Sequence, residues 1–151
     1  MVLGGVTSKP DGEWMKQIAR NLTGWDGELE EAKYLIHDRD TKYTAAFDAL
    51  FTGAGTKIVK LPPKSPNLNA FSERWVKSCK SECLDQMILF GDKQLRYVLR
   101  EYLAHYHAER NHQGLDNVIP FPDDQIREHD GPIVKDERLG GLLSFYHRDV
   151  A

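Results

Sequence analysis

Two acidic side chains in this sequence stand where metal-assisted oxygen chemistry is done. Asp38 ends the apolar run in Leu35-Ile36-His37-Asp38-Arg39-Asp40, so it belongs at the C-terminal end of a short strand. Glu73 follows Ser65-Pro66-Asn67-Leu68-Asn69-Ala70-Phe71-Ser72, so it belongs in the first turns of a helix that opens after a proline-rich loop. Carboxylates that converge over a strand end hold Mg²⁺ or Mn²⁺ through oxygen. Two such ions about 3.5–4 Å apart activate an attacking hydroxyl and stabilise a leaving oxygen in phosphodiester chemistry.

The elements that must position these carboxylates can be read from hydrophobic spacing. Residues 2–6 read as a strand. Pro10-Asp11-Gly12-Glu13 opens an amphipathic helix carrying Trp14, Ile18, Ala19 and Leu22, which Gly24 stops. After an acidic loop, Tyr34-Leu35-Ile36 reads as a buried strand leading to Asp38, and a helix follows over about 45–51, closed by Gly53 and Gly55. Residues 57–61 alternate as a half-buried strand does, and Pro62, Pro63 and Pro66 stiffen the loop beyond it. A helix over about 68–84 places Phe71, Trp75, Cys79 and Cys83 on one core stripe. The next, over about 92–107, turns Leu95, Val98, Leu99, Tyr102 and Tyr106 inward. Leu142-Leu143-Ser144-Phe145-Tyr146 adds a strand, with a hairpin around Arg138-Leu139-Gly140-Gly141-Leu142. This order predicts an α/β fold with a parallel element.

Composition narrows the function classes. The 151 residues suffice for one domain with a tail, divided here into residues 1–112 and 113–151. No window approaches the roughly 20 apolar residues of a membrane span, and the N-terminus lacks the basic and apolar regions of a signal peptide. The expectation is a cytoplasmic protein with no membrane partner and no small-molecule cofactor. Cys79 and Cys83, four apart on one helix, read as reduced core cysteines. The net charge of −3 is uneven: residues 1–55 sum to −3, residues 56–112 to +4 and residues 113–151 to −4. The segment that holds Glu73 is the basic one, as a site facing a polyanion requires.

Helical spacing puts Glu73, Lys77 and Lys80 on one face, a carboxylate flanked by two cations. The alternative is a solvated Glu–Lys pair contributing a few tenths of a kcal/mol. With these residues assembled, the sequence resembles the integrase catalytic cores of retroviruses and of bacterial insertion-sequence transposases over roughly residues 1–120. Asp38-Arg39 looks like the family's second catalytic aspartate, and Tyr43 fits the aromatic that follows it. Leu61-Pro62-Pro63-Lys64-Ser65-Pro66-Asn67-Leu68-Asn69 resembles the active-site loop, and Glu73-Arg74 matches the catalytic glutamate. His105-Tyr106-His107-Ala108-Glu109-Arg110-Asn111-His112-Gln113-Gly114-Leu115 is similar to the transposase C-terminal signature.

The resemblance implies a ribonuclease H-like fold, a mixed sheet flanked by helices, in which three carboxylates bind two Mg²⁺ or Mn²⁺ ions for strand transfer. It implies Asp38 and Glu73 as catalytic metal ligands. Lys64, Asn69, Arg74, Lys77 and Lys80 become DNA contacts, DNA the partner, and self-association the family habit. The family's first aspartate lies on the first strand, tens of residues before the second, and Asp38 stands too near Met1 for that strand. The expectation is therefore a partial core lacking the first strands, weak in divalent binding and inactive alone. Asp11 and Asp26 sit in turn or loop contexts, and Asp40 is a substitute ligand pointing away from Asp38.

Two other readings remain open. One is a non-catalytic DNA-binding or interaction module with the same fold, supported by Lys57, Lys60, Lys64, Lys77 and Lys80. The other is a histidine-based site on His105, His107 and His112, where helix-end capping or solvent exposure is the competing role.

Overall fold

Local chemistry sets the ends of the elements. The computed structural model describes residues 2–63, 66–122 and 131–149, the side chains of residues 66 and 67 excepted. In chain order these form α1 (Gly12–Thr23), β1 (Tyr34–His37), α2 (Ala45–Gly53), β2 (Lys57–Lys60), α3 (Ala70–Glu82), α4 (Gly91–Ala108), β3 (Ile133–Arg138) and β4 (Leu143–Arg148). Two compact units, Val2–Glu73 and Arg74–Ala151, divide within α3.

In the first unit the Asp11 carboxylate accepts the Trp14 N–H at 2.9 Å and starts α1. Thr44 caps α2 in the same way, accepting from the Phe47 N–H. Met15 and Ala19 of α1 meet Phe47 and Phe51 of α2 in the core, with Leu35 of β1 and Ile58 of β2 packed against them. β1 and β2 pair in parallel, and Leu35 stands opposite Ile58. Tyr34 and Ile36 leave by the other face and are 61% and 51% exposed, so β1 is covered on one face, not buried as expected. Residues 2–6 form no strand. Gly4 and Gly5 instead pass so close to α1 that a Cβ on Gly5 would lie 2.7 Å from Ile18 Cδ1 and 2.9 Å from Trp14 Cζ2.

The second unit is held by buried apolar groups and by charge. Cys79, Cys83, Val98, Leu99, Tyr102, Leu143 and Phe145 are buried. Glu82 takes two hydrogen bonds from Arg110, at 2.7 and 3.0 Å, and a third from the Tyr102 hydroxyl at 3.1 Å, fastening the end of α3 to α4. β3 and β4 pair antiparallel across the turn Leu139–Gly141, where Gly140 and Gly141 take φ of 68° and 90°. Arg138, at the end of β3, donates to Glu109 at 2.8 Å and to Glu101 at 2.9 Å, and the Glu109 carboxylate also pairs with His105 Nδ1. His105 is thus a buried partner of Glu109, so of the two roles expected at this helix end, capping or solvent exposure, the exposure is corrected. Among the described residues no helix is long and apolar enough to cross a membrane.

The core stripe on α3 also needs correction. Burial rises along it from Phe71, 88% exposed, through half-buried Trp75 to buried Cys79, and Cys83 lies just past the helix end. The spacing is helical throughout, but a stripe is a core only along the length that another element covers.

Phe51→Ala removes a ring that is 1% exposed. It is expected to destabilise the first unit by about 3–5 kcal/mol, read as faster amide exchange of β1 and β2. Burial alone would raise the Glu109 pKa, but the hydrogen bonds from Arg138 and His105 outweigh it and hold the carboxyl below its ordinary 4.5. A depressed folded value means that this stabilisation is present above about pH 4.5 and is lost as pH falls through the folded value. Glu109→Gln is expected to weaken the hairpin at pH 7 and to flatten its loss on acidification, measured by exchange of the β3 and β4 amides from pH 7 to 3.

Candidate functional site

Parallel strands end at the same edge of a sheet, and in open α/β sheets that edge is where ligands bind. Asp38 leaves β1 at this edge, and Leu61, directly after β2, begins the path that leads to α3. The Leu61 N–H donates to the His37 carbonyl at 3.0 Å, and Arg39 Nε donates to the Leu61 carbonyl at 3.1 Å. The residues on either side of Asp38 therefore grip the exit of β2. Asp38 itself is exposed, and its Oδ1 accepts the Asp40 N–H at 3.0 Å. The Asp40 carboxylate accepts from both the backbone N–H and the Nζ of Lys42, and those bonds lower its pKa. Asp40 is committed to Lys42.

Beneath Asp38 lies a set of residues that sequence spacing does not join. The His37 ring, 5% exposed, donates from Nδ1 to the Asp38 carbonyl oxygen at 2.6 Å, while Nε2 pairs with Asp48 Oδ1 at 3.0 Å. Lys60 Nζ holds the other Asp48 oxygen at 2.6 Å. The ring of Tyr43 lies 4.5 Å from that of His37, and Phe47 meets it edge-on. Burial raises the Tyr43 pKa. Three elements, β1, α2 and β2, thus converge on one imidazole whose other partner is the backbone of Asp38. The one legible signal is that Lys60 stands opposite His37 once the strands are paired in register.

Glu73 lies in the first turn of α3 and is exposed, as are Arg74, Lys77 and Lys80. Helical spacing sets Glu73, Lys77 and Lys80 on one side of α3. Asn69 ends the 3₁₀ turn Pro66–Asn69 that enters α3, and Arg74 extends so that its Nη1 lies 3.4 Å from where a Cβ on Gly114 would stand. Lys64 lies outside the described residues. Asp11 is the cap of α1, and Asp26 occupies the turn after it with φ of 59°.

Asp38 and Glu73 are oxygen donors of the kind that Mg²⁺ and Mn²⁺ prefer. Among the described residues, no group of three or more His, Cys, Asp or Glu side chains is placed to hold a metal ion. The same observation leaves the histidine reading without a ligand set: His112 Nε2 donates to the Tyr106 carbonyl and its ring packs edge-on against Tyr106, while the His107 ring lies 5.6 Å from Phe121. Cys79 and Cys83 are free and buried, and burial pushes the Cys79 thiol up to about 11, so it is not a thiolate at neutral pH.

Residues 54–120 match the family model of the integrase core domain, which supports an integrase or transposase catalytic core. The matched segment runs through β2, α3 and α4 and includes Glu73, Arg74, Lys77 and Lys80; Asp38 precedes it. A comparison with curated proteins finds no match.

Asp48→Ala strips the acceptor from both His37 and Lys60. It is expected to cost about 1–3 kcal/mol, and Asp48→Asn, which keeps an acceptor oxygen, less; urea unfolding followed by far-UV circular dichroism compares the two.

Proposed function

We propose that this chain is part of a DNA integrase or transposase core of ribonuclease H-like fold, residues 1–112, with residues 113–151 as a C-terminal extension. In this reading Asp38 and Glu73 are two of the three carboxylates used for metal-dependent phosphodiester strand transfer, and Lys64, Asn69, Arg74, Lys77 and Lys80 contact DNA. The observation that carries it is the edge of the β1–β2 pair. Asp38 and the path to the family-matched helix of Glu73 leave that edge together, clasped through Leu61. The family acts on DNA and generally depends on a divalent metal. Self-association and a cytoplasmic location belong to the same reading.

What these residues do on their own is bind and orient. The cations of α3 neutralise phosphates, and the His37–Asp48–Lys60 set steadies the backbone that carries Asp38. Two carboxylates do not complete the donor set for two ions, so the chain alone joins no DNA ends. The second reading, a non-catalytic DNA-binding module, draws on the same exposed cations and on that incomplete donor set.

The test is duplex binding against salt. Lys77→Ala with Lys80→Ala is expected to lower affinity and to make the slope of log K against log salt shallower by about 0.9 for each phosphate no longer neutralised. Unchanged affinity and slope would remove DNA binding by α3 from both readings. Mn²⁺-dependent joining of DNA ends by the purified chain, abolished by Asp38→Asn, would show a complete active site and refute inactivity.

A further inference from the structure

We infer that the solvent face of α4 is a second DNA-binding surface, on which Lys93 and Arg100 take phosphates of one duplex strand and the Tyr97 hydroxyl, set between them, donates to another. The inference rests on the DNA reading above and adds a helix that reading does not use.

The geometry of one helix sets the three side chains together. α4 turns Val98, Leu99, Tyr102 and His105 into the interior of its own unit. At about 100° per residue, the side opposite those four holds Lys93, Tyr97 and Arg100 within about 60° of one another. Tyr97 is one turn beyond Lys93 and Arg100 one turn beyond Tyr97, so the three make a single line on a single face. All three are exposed, Tyr97 by 50%. From Lys93 to Arg100 the line is about 10.5 Å long. Over that length one strand of a duplex presents about three phosphates, at about 3.4 Å of rise each.

The charge of the face selects the partner. Solvated protein surface ordinarily mixes both signs, but the acids of α4 stand off this line. Asp92 lies about 100° round the helix from Lys93 in the first turn, and Glu101 is taken by Arg138 at 2.9 Å. Among the described residues neither Lys93 nor Arg100 pairs with an acid, so both keep their charge for a partner. A twofold contact with a second copy would set these cations against cations, whereas a phosphodiester strand complements them. Arg, Lys and Tyr side chains are common donors to phosphate oxygens, and such contacts orient a protein on a duplex without reading its sequence. α4 also falls within residues 54–120, the segment that matches the integrase core domain.

The full chain is titrated with a duplex over a range of salt. Lys93→Ala with Arg100→Ala is expected to weaken binding and to make the slope of log K against log salt shallower by about 1.8, two phosphates at about 0.9 each; Lys93→Arg with Arg100→Lys keeps the wild-type slope. Tyr97→Phe, which removes only the hydroxyl, is expected to weaken binding roughly 2- to 12-fold with the slope unchanged. The three positions are exposed, so far-UV circular dichroism of the variants should match wild type. Lys9→Ala with Lys33→Ala removes the same charge from exposed positions on the other unit and is expected to leave the slope unchanged. If it shallows the slope equally, total charge and not this face is responsible, and the inference is wrong. It is also wrong if the Lys93 and Arg100 double alanine variant binds duplex like wild type, and the DNA reading then stands on α3. Wild-type affinity in Tyr97→Phe would strike the hydroxyl contact from it. If the double alanine variant keeps the duplex slope but no longer sediments with phosphatidylserine vesicles, the face takes a lipid surface and the inference is overturned. If wild type binds no duplex, the DNA reading fails and the inference with it.

Discussion

The parallel pairing of β1 with β2 is the constraint on which the candidate site depends. An antiparallel pair would send Asp38 and the path to Glu73 from opposite ends of the strands. Parallel pairing sends them from one end, and the helix α2 makes the crossover that a parallel connection needs. Two short strands alone would be marginal. Here they are held from one side by the α1–α2 core through Leu35 and Ile58, and from the exit by the Arg39 and Leu61 hydrogen bonds.

A carboxylate at a strand exit needs support, because the residue itself is exposed and its loop is short. That support comes from beneath. His37 occupies the last position of β1, where alternation turns its ring inward and leaves Asp38 outside. Asp48 satisfies the ring and is in turn satisfied by Lys60, so no partner in this small polar set stands alone. The second unit uses the same device at larger scale. Glu82 is shared between Arg110 and Tyr102, and Arg138 between Glu101 and Glu109, so charges carry much of the contact among α3, α4 and the hairpin.

Net charge is a poor guide to what this chain can touch. An overall charge of −3 would argue against a polyanionic partner, yet the cations of α3 form a local row while many acids are spent internally. Glu82, Glu101, Glu109 and Asp48 each neutralise a specific basic neighbour. Screening over about 8–10 Å makes the local row, and not the distant total, what a phosphate experiences.

Much of the secondary structure was legible because it rests on local rules. Asp11 as a cap, Gly24 as a stop, the apolar run before Asp38 and the proline block after Leu61 each act within a few residues, and α1, β1, α2, β2 and α4 lie close to where those signals place them. The parallel element was implied by the order of strands and helices. Burial was less legible. Phe71, Tyr34 and Ile36 carry apolar side chains with core-like spacing but face solvent, residues 2–6 have strand-like composition but lie along α1, and His105 is buried at a helix end where capping or solvent exposure was expected. By itself the sequence determined which residues are helical, which extended, and which acids and cations share a short segment. Only the tertiary structure decided which faces are covered and which charges are shared, as with His37, Asp48 and Lys60. Propensity and capping act between near neighbours along the chain, whereas burial and ion pairing are set by elements far apart in sequence.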